Sequence, residues 1–312
     1  MLVVAIDTGA TKIAGAVIDE NGVILEKIQL PNIERTGSSI IEVYLDIITE
    51  FQKNYRIDAV GIGAGGRIEP TNGKVLFATD VYTDYIGLSI VDEVTKKCGL
   101  PTVVDNDCRV AVYGEYWKGA VKGFDDVFGI ILGTGVGGGY IQAGKPIYGA
   151  ACSAGEIGHL ILHPGGKRCL CGQRGCVEQY LSGTALWESY NVLSGKKVIS
   201  SGYEFFELLD DGDDSAQSIL DIFIYNLAIC AISIANLISP NAILFGGGLI
   251  DTADRWWNRF EETYIENGSS HCRNVSILRA KAGNNAALLG AAWMTLNSLS
   301  KTNDIEKEQS FL

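Results

Sequence analysis

The chain has 312 residues, of which 47% are hydrophobic and only 6 are proline, a composition typical of a folded protein and a length that suits two domains. Its net charge of -12, from 37 acidic and 25 basic residues, opposes contact with a phosphate backbone, so we expect no nucleic-acid partner. The N-terminus lacks the features of a signal peptide, and the longest apolar stretches are interrupted by polar residues. We therefore expect a cytoplasmic protein with no membrane partner.

The chain opens with strands and tight turns. Residues 2–6 predict a strand that enters a turn at 7–11 and returns as a second strand at 13–18. Asn21-Gly22 favours a hairpin turn into a third strand at 23–28, because Asn-Gly readily adopts positive φ angles. The sequence thus predicts three antiparallel strands at its start.

Helices and strands then alternate. Apolar residues at helical spacing predict an amphipathic helix with Ser38 as its N-cap. The elements predicted after it are a buried strand at 59–62, a helix at 88–98, a strand at 102–104 and a helix at 108–117.

The second half repeats the opening plan. An apolar strand at 127–132 runs into a glycine turn at 133–139 and returns at 140–141, which indicates a weak internal repeat. The remaining predicted elements are a loop region at 145–175, a long apolar helix at 216–238, a strand at 242–245, a glycine turn at 246–248, a strand at 275–278 and a helix at 285–296. The charged segment 301–312 is predicted to be a mobile tail.

Three glycine turns, at 9, 133–139 and 246–248, each follow an apolar strand. Backbone N-H groups at such turns can cradle phosphates, although a single turn of this kind also serves ordinary hairpins. Neither a Walker A motif nor a dinucleotide fingerprint fits these residues. Asp7 and Thr8 add groups suited to hydrated Mg²⁺; alternatively, Asp7 caps its own turn.

Three of the 8 cysteines form a cluster with a histidine. His159, Cys169, Cys171 and Cys176 follow the pattern His-x9-Cys-x-Cys-x4-Cys, and three thiolates with one imidazole are a ligand set of structural zinc. An iron-sulfur cluster would require a fourth cysteine nearby, and reduced cysteines without a metal are the remaining alternative. The other cysteines are scattered, as small core residues are.

Together these motifs resemble those of the ROK sugar kinases, a family of the hexokinase and actin-like superfamily. The resemblance covers nearly the whole chain, and its most specific part is the cysteine segment 169–178. It implies an α/β, two-lobed, actin-like (ribonuclease H-like) ATPase fold with a nucleotide and sugar cleft between the lobes. The implied lobes are 1–117, joined by the helix at about 285–300, and 118–284, with a hinge near 116–119 that closes when sugar binds.

The resemblance also implies the activity, which is ATP-dependent phosphorylation of a hexose or hexosamine. Asp107 is then the general base that activates the sugar hydroxyl. Without the resemblance, the favoured interpretation is that Asp107 is the N-cap of the helix that begins at Cys108. The implied sugar-binding residues are Gly66, Asn106, Asp107, Glu156, His159 and Glu178. The implied ATP-binding residues are Asp7, Gly9, Ala10, Thr11, Lys12, Gly133, Thr134, Gly135, Gly247 and Gly248, with Mg²⁺ as cofactor and a homodimer as the assembly.

Some positions depart from the family pattern. Where many relatives have Pro-Gly and Pro-Asn pairs, this chain has Gly65-Gly66 and Thr79-Asp80, and the missing asparagine usually binds the sugar. Glucose is therefore not expected to be the preferred substrate. We have no physical account of Gly283-Asn284, where relatives often have Gly-Asp. The alternative functions are a sugar sensor without turnover, a ROK repressor, which would need a DNA-binding domain before the first strand, and another actin-like ATPase.

Overall fold

The computed structural model describes residues 1–78, 82–195 and 198–309, with side chains described up to residue 300. The chain divides into two compact units. The first comprises Met1–Lys122, Tyr148–Ser153 and the chain from Lys281 onward, and the second comprises Gly123–Ile147 and Ala154–Ala280. The segment Tyr148–Ser153 thus groups with the first unit, whereas the sequence predicted it within the second lobe.

The first unit is built on a five-stranded mixed sheet with the strand order β3-β2-β1-β4-β7. Its strands are β1 (Leu2–Thr8), β2 (Lys12–Asp19), β3 (Ile24–Pro31), β4 (Ala59–Ala64) and β7 (Thr102–Asn106), with a separate hairpin of β5 (Arg67–Glu69) and β6 (Lys74–Phe77). Strands β1 to β3 are antiparallel, as predicted, and β4 and β7 run parallel to β1.

Helices cover both faces of this sheet. They are α1 (Gly37–Gln52), α2 (Ile90–Cys98), α3 (Asp107–Lys118) and α9 (Ala286–Gln309). A Cβ on Gly15 would collide with Ile47 of α1, and one on Gly61 would collide with Ala291 of α9. Because Gly15 and Gly61 lie on opposite faces of the pleated sheet, α1 and α9 form the two outer layers.

Two predicted helix ends differ from the structure. The N-cap of α1 is Thr36, not Ser38: the Thr36 hydroxyl accepts a hydrogen bond from Ser39 N, and Ser39 Oγ accepts one from Thr36 N. This reciprocal pair satisfies two groups, which a cap at Ser38 would not do. Helix α9 continues past the predicted end at 296 as far as Gln309. Residues 310–312 lie outside the described range, and the mobility of the tail stays a prediction.

Helices α3 and α9 cross at a pair of glycines. A Cβ on Gly114 would collide with the carbonyl oxygen of Ala286, and a Cβ on Gly290 would collide with that of Val110. The two backbones can therefore approach each other more closely than larger residues would permit. This contact fixes α3, the helix whose first residue is Asp107, against α9.

The second unit repeats the plan of the first, in agreement with the predicted internal repeat. Its five-stranded sheet has the order β10-β9-β8-β11-β12, in which β8 to β10 are antiparallel and β11 and β12 run parallel to β8. The strands are β8 (Val127–Leu132), β9 (Val136–Gln142), β10 (Lys145–Pro146), β11 (Ala242–Gly246) and β12 (Ser276–Arg279). The helices are α4 (Glu178–Leu181), α5 (Gly183–Ser194), α6 (Gly202–Asp210), α7 (Asp214–Ile238) and α8 (Trp257–Asn267).

Helix α7 is the central helix of the second unit. It has 25 residues, and its most apolar window has a mean hydropathy of 2.0. Among the described helices, it alone is long and apolar enough to cross a membrane. However, 67% of that window is buried within the protein, where Phe223 and Leu227 join the core. Its composition is thus explained by core packing.

Candidate functional site

The first glycine turn joins β1 to β2 and is closed by backbone bonds. Gly9 N donates to Lys12 O at 3.0 Å. Asn32, which is 4% exposed, donates from Nδ2 to Gly9 O at 3.0 Å and from its backbone N to Thr11 O at 2.9 Å. Sequence reasoning missed Asn32, because its contacts depend on how β3 ends beside the turn.

Asp7 lies at the end of β1 beside this turn. Burial raises the pKa of its carboxyl group, and the charges of Lys27 and Lys12 oppose that shift. Within the described part of the turn, none of the backbone N-H groups bonds to this carboxylate, so the structure does not support the alternative that Asp7 caps its own turn. A half-buried carboxylate beside open backbone is chemically suited to a hydrated divalent cation.

Asn106 and Asp107 form the corner between β7 and α3. Asn106 is the N-cap of α3, because its Oδ1 accepts a hydrogen bond from Arg109 N at 3.0 Å. Asp107 is the first residue of the helix, so the reading of Asp107 as the cap is wrong. Asn106 Nδ2 donates to Asp107 Oδ1 and to Gly66 O, each at 2.9 Å. Asn106 therefore orients the carboxylate of Asp107, and its predicted contact with a sugar stays a prediction.

Gly66 has a backbone conformation that other residues rarely adopt. Its φ angle is 94°, and a Cβ there would lie 2.5 Å from Phe77 O. The neighbouring Gly65 O accepts a hydrogen bond from Tyr85 OH at 3.1 Å. Thr79 and Asp80, where the sequence departs from the family pattern, lie outside the described residues.

A buried ion pair supports the corner that carries Asp107. Arg109 Nε lies 3.0 Å from Asp105 Oδ1, and both side chains are 2% exposed. Tyr113 OH donates to Asp105 Oδ2 at 2.8 Å, and Arg109 Nη2 donates to Ile68 O at 3.1 Å. Burial raises the pKa of Asp105, and the charge of Arg109 opposes this shift. Sequence analysis did not identify this network, although the i, i+4 spacing of Asp105 and Arg109 is the signal that could have indicated it.

The second glycine turn, between β8 and β9, lies against Glu178. Gly133 N donates to Gly135 O at 2.9 Å, and Gly183 N donates to Gly133 O at 2.8 Å. Glu178 Oε2 accepts a hydrogen bond from Val136 N at 3.0 Å, and a Cβ on Gly135 would collide with the same oxygen. The structure thus brings a predicted sugar ligand and a predicted phosphate turn into direct contact.

The glycines at 137–139 belong to β9, and a Cβ on Gly138 would lie 2.9 Å from Gly155 O and 3.0 Å from the side chain of Ile157. A Cβ on Gly158 would collide with Val136 O, and a Cβ on Gly155, whose φ is 87°, would lie 3.1 Å from the strand backbone. The short 3₁₀ helix Ile157–His159, which follows Glu156, therefore packs directly on β9.

One cavity of about 420 Å³ lies within the second unit. Gly133 and Thr134 of the second glycine turn line it together with Gly248 of the third. The apolar and aromatic residues that line the cavity are Trp187, Tyr203, Phe206 and Leu249. Gly247 has a φ of 87°, and a Cβ there would collide with Leu132 O, so the third turn is held against the end of β8. A space with a phosphate-type turn and aromatic walls suits a nucleotide.

The four predicted metal ligands converge. The ligand atoms of His159, Cys169, Cys171 and Cys176 all lie within 4.8 Å of one another. Cys169 Sγ lies 3.8 Å from His159 Nδ1, and Cys171 Sγ lies 3.6 Å from Cys176 Sγ. A tetrahedral zinc with Zn-S bonds of about 2.3 Å requires sulfur atoms about 3.8 Å apart, so the donor set fits this metal.

Gln173 supports these sulfur atoms from outside the cluster. Its Nε2 donates to Cys171 Sγ at 3.4 Å and to His159 O at 3.3 Å. The loop closes on itself because Cys169 N donates to Gln173 O at 2.9 Å. Burial raises the pKa of the Cys176 thiol to about 12, so a bound cation is the species that would keep it deprotonated near neutral pH.

The chain is similar to known proteins along almost its full length. The family model described as "ROK family" matches residues 3–298. The chain is 30% identical to a glucokinase of Halalkalibacterium halodurans, over 97% of this chain and 98% of the relative. It is 28% identical to an N-acetyl-D-glucosamine kinase of Salmonella paratyphi B, over 93% of this chain and 98% of the relative.

A solved structure supports the same comparison. The chain is 32% identical to a ROK family glucokinase from Streptomyces griseus, crystallised in complex with glucose and AMPPNP, with a TM-score of 0.80. The alignment covers 94% of this chain and 99% of that one. The predicted two-lobed, actin-like fold class is thereby confirmed.

Proposed function

Since the chain belongs to the ROK family, we propose that it is an ATP-dependent sugar kinase that transfers a phosphoryl group to a hydroxyl of a hexose or hexosamine. The observation that carries this proposal is the carboxylate of Asp107, which Asn106 orients at the start of α3 while Asn106 itself caps the helix. The carboxylate is thus held in a fixed orientation at the start of α3, while the neighbouring residue supplies the helix cap.

In this reaction Asp107 accepts the proton of the sugar hydroxyl as the oxygen attacks the γ-phosphorus of ATP, and ADP leaves as the bond from that phosphorus to the β,γ-bridging oxygen breaks. Phosphoryl transfer depends mainly on positioning and on stabilisation of negative charge, so a weak base suffices. The bonds from Asn106 Nδ2 and from Cys108 N, each 2.9 Å from Asp107 Oδ1, hold the carboxylate in one orientation.

We propose that the sugar is held by Gly66, Asn106, Glu156, His159 and Glu178. Ionised carboxylates accept hydrogen bonds from pairs of sugar hydroxyls, which suits Glu156 and Glu178. Glu178 also touches the second glycine turn through Val136 N. A sugar bound to Glu178 would therefore lie beside the turn that receives the transferable phosphate.

For the nucleotide, Gly133, Thr134 and Gly135 would contact the γ-phosphate, and Gly247 and Gly248 would flank the adenosine. The cavity of about 420 Å³ between these turns supports this assignment, with Trp187 and Phe206 as apolar walls for the base. The first turn, with Asp7, Gly9, Ala10, Thr11 and Lys12, would bind phosphate and hydrated Mg²⁺. Mg²⁺ supplies neutralisation of the phosphate charge when bound.

We propose that the cluster of His159 and the three cysteines binds structural zinc. The converging donors and the fit of the sulfur distances support this role. His159 Nδ1 faces the cluster, which would fix the ring of His159 and, three residues earlier, Glu156. The metal would thus order the sugar-binding segment and take no part in the chemistry.

We further propose a cytoplasmic homodimer, as the resemblance implies. Exposed apolar residues on one side of α7, which include Ile222, Tyr225 and Leu237, support an interface between copies. Light scattering during gel filtration should give twice the monomer mass, and Leu237→Glu should reduce it to the monomer mass.

Sugar-dependent release of ADP tests the proposed activity. The alternative function, a sugar sensor, would bind sugar without turnover. A coupled ADP-release assay over a panel of hexoses and hexosamines, combined with thermal shifts for the same sugars, distinguishes the two. A sugar that raises the melting temperature but releases no ADP would support the sensor.

A further inference from the structure

Glu115 is a buried glutamate near the end of α3 that the proposed reaction does not use. It is 1% exposed, and its carboxylate bonds to backbone amides. Oε2 accepts a hydrogen bond from Ala120 N at 2.7 Å, and Oε1 accepts bonds from Lys281 N at 2.9 Å and Ala282 N at 2.6 Å. Three N-H donors to one buried carboxylate form a strong, charge-assisted set.

The partners of Glu115 lie where the chain passes between the two units. The chain leaves the first unit after Lys122, close behind Ala120, and it returns to the first unit at Lys281. One side chain therefore holds the outgoing and the returning segments to the same point of α3.

Arg109, on the same helix, binds the short segment by which the chain returns to the first unit, Tyr148–Ser153. Its Nη1 donates to Cys152 O at 3.4 Å, and its guanidinium lies 5.2 Å from the ring centroid of Tyr148. Both partners belong to Tyr148–Ser153, the segment that visits the first unit between two parts of the second. The chain passes between the units at four points: after Lys122, before Tyr148, after Ser153 and before Lys281. Near each point, a segment of the first unit contacts Glu115 or Arg109 of α3.

The local backbone is built to allow the contact of Glu115. Gly119 follows α3 directly, and a Cβ at that position would collide with Glu115 Oε2. A glycine is therefore required for the carboxylate to fold back over the end of its own helix. The contacts of Glu115 and Gly119 thus lie at the C-terminal end of α3, whereas Asp107 lies at its N-terminal end.

We propose that Glu115 is a positioning residue of phosphoryl transfer. It ties the segments through which the chain enters and leaves the second unit to the helix that carries the base, Asp107. Loss of this tie would free Ala120, Lys281 and Ala282 from α3 and so loosen the helix that carries Asp107, which would displace the base from the reacting groups. The inference rests on the proposed kinase function, because it concerns the rate of that reaction.

The test is Glu115→Gln, which keeps the size of the side chain. The amide replaces one acceptor oxygen with a donor, so at least one backbone N-H group would face another N-H group. We expect kcat/KM for the sugar to fall about 10-fold or more, with kcat affected, because small displacements of reacting groups are costly. Hydrogen exchange should become faster at Ala120, Lys281 and Ala282.

Binding of AMPPNP should stay within about 2-fold of wild type, because the 420 Å³ cavity is lined by residues of the second unit alone. The matched control is Glu69→Gln. The two oxygens of Glu69 accept hydrogen bonds from Thr71 N at 3.0 Å and Asn72 N at 3.1 Å, which is the same chemistry in a turn far along the chain from the passages. This control should leave kcat and KM unchanged.

Glu115→Asp serves if the glutamine variant does not fold, because it keeps the charge but shortens the reach to the three donors. The proposal is overturned if either folded variant is less stable than wild type yet keeps wild-type kcat and KM, since Glu115 would then act on stability alone. It is also overturned if exchange at Ala120 and Lys281 is unchanged. A wild-type protein that releases no ADP with any hexose or hexosamine of the panel would instead refute the proposed function. The hydrogen-exchange rates at Ala120, Lys281 and Ala282 would still show whether Glu115 holds these segments.

Discussion

Asp107 depends on its neighbour for its orientation. Asn106 caps α3 through Oδ1 and holds Asp107 through Nδ2, so the two roles of the amide can be separated by mutation. The cap contributes about 1 kcal/mol to helix stability. The base can therefore be altered without loss of the helix that presents it.

Asp107→Asn should lower turnover at least about 100-fold, the usual effect of losing a general base. The affinity for sugar and the melting temperature should change far less, because the side chain keeps its size and Asn106 keeps the cap. Steady-state kinetics and thermal melts measure these effects. Near-normal turnover of the variant would remove Asp107 from the mechanism.

Asn106→Ser tests whether Asn106 positions the base or binds the sugar. Serine is a good N-cap, so the stability should fall by less than about 1 kcal/mol from the cap itself. The bond to Asp107 Oδ1 is lost, and we expect kcat to fall about 10-fold. A rise in KM for the sugar with an unchanged kcat would show instead that the direct sugar contact is the main role.

Asp80 is expected to shift the sugar preference away from glucose. A carboxylate only accepts hydrogen bonds, whereas the asparagine of relatives also donates one. We expect another hexose or a hexosamine to have the highest kcat/KM in a panel, and Asp80→Asn to improve the ranking of glucose. Glucose as the best substrate, with a ranking unaffected by the substitution, would refute this expectation.

The loop from His159 to Cys176 is the element that links metal binding to sugar binding. Its ends meet through the bridge between Ile161 and Cys176, and Gln173 bonds to Cys171 Sγ within it. The loop carries little regular structure, so a metal would supply much of its order. Loss of the metal should therefore change both the stability of the loop and the geometry of the sugar site.

Wild-type protein should contain about one zinc per chain after dialysis. Cys171→Ser should lower the zinc content and the melting temperature and raise KM for the sugar by about 10-fold or more, while AMPPNP affinity changes less. Elemental analysis, thermal melts and kinetics measure these quantities. Cys98→Ser is the control, because Cys98 lies outside the cluster. A metal-free wild type with full activity would contradict the proposal.

The elements differ in how far the sequence could predict them. The strands β1 to β3 and the glycine turns follow from local periodicity and turn chemistry, and the sequence predicted them. The contacts of Asn32 with Gly9, of Arg109 with Ile68 and of Glu115 with Lys281 join segments far apart in the chain, so no local pattern indicates them.

At the scale of the whole molecule, two sheets with matching strand order place glycine turns at the ends of β1 and β8. Membership of the ROK family and the fold class were predicted from the sequence, and the comparisons confirm them. The predicted residues of catalysis divide between the units: Asp107 belongs to the first, and Glu156, His159 and Glu178 belong to the second.

The most direct test of the account is detection of the product itself. Wild-type protein, ATP, Mg²⁺ and each sugar of the panel are incubated, and ³¹P NMR and mass spectrometry are used to identify the products. We predict a phosphorylated hexose or hexosamine in amounts equal to the ADP formed, and loss of both products in Asp107→Asn. ADP without sugar phosphate, or sugar binding without either product, would contradict the assignment as a sugar kinase.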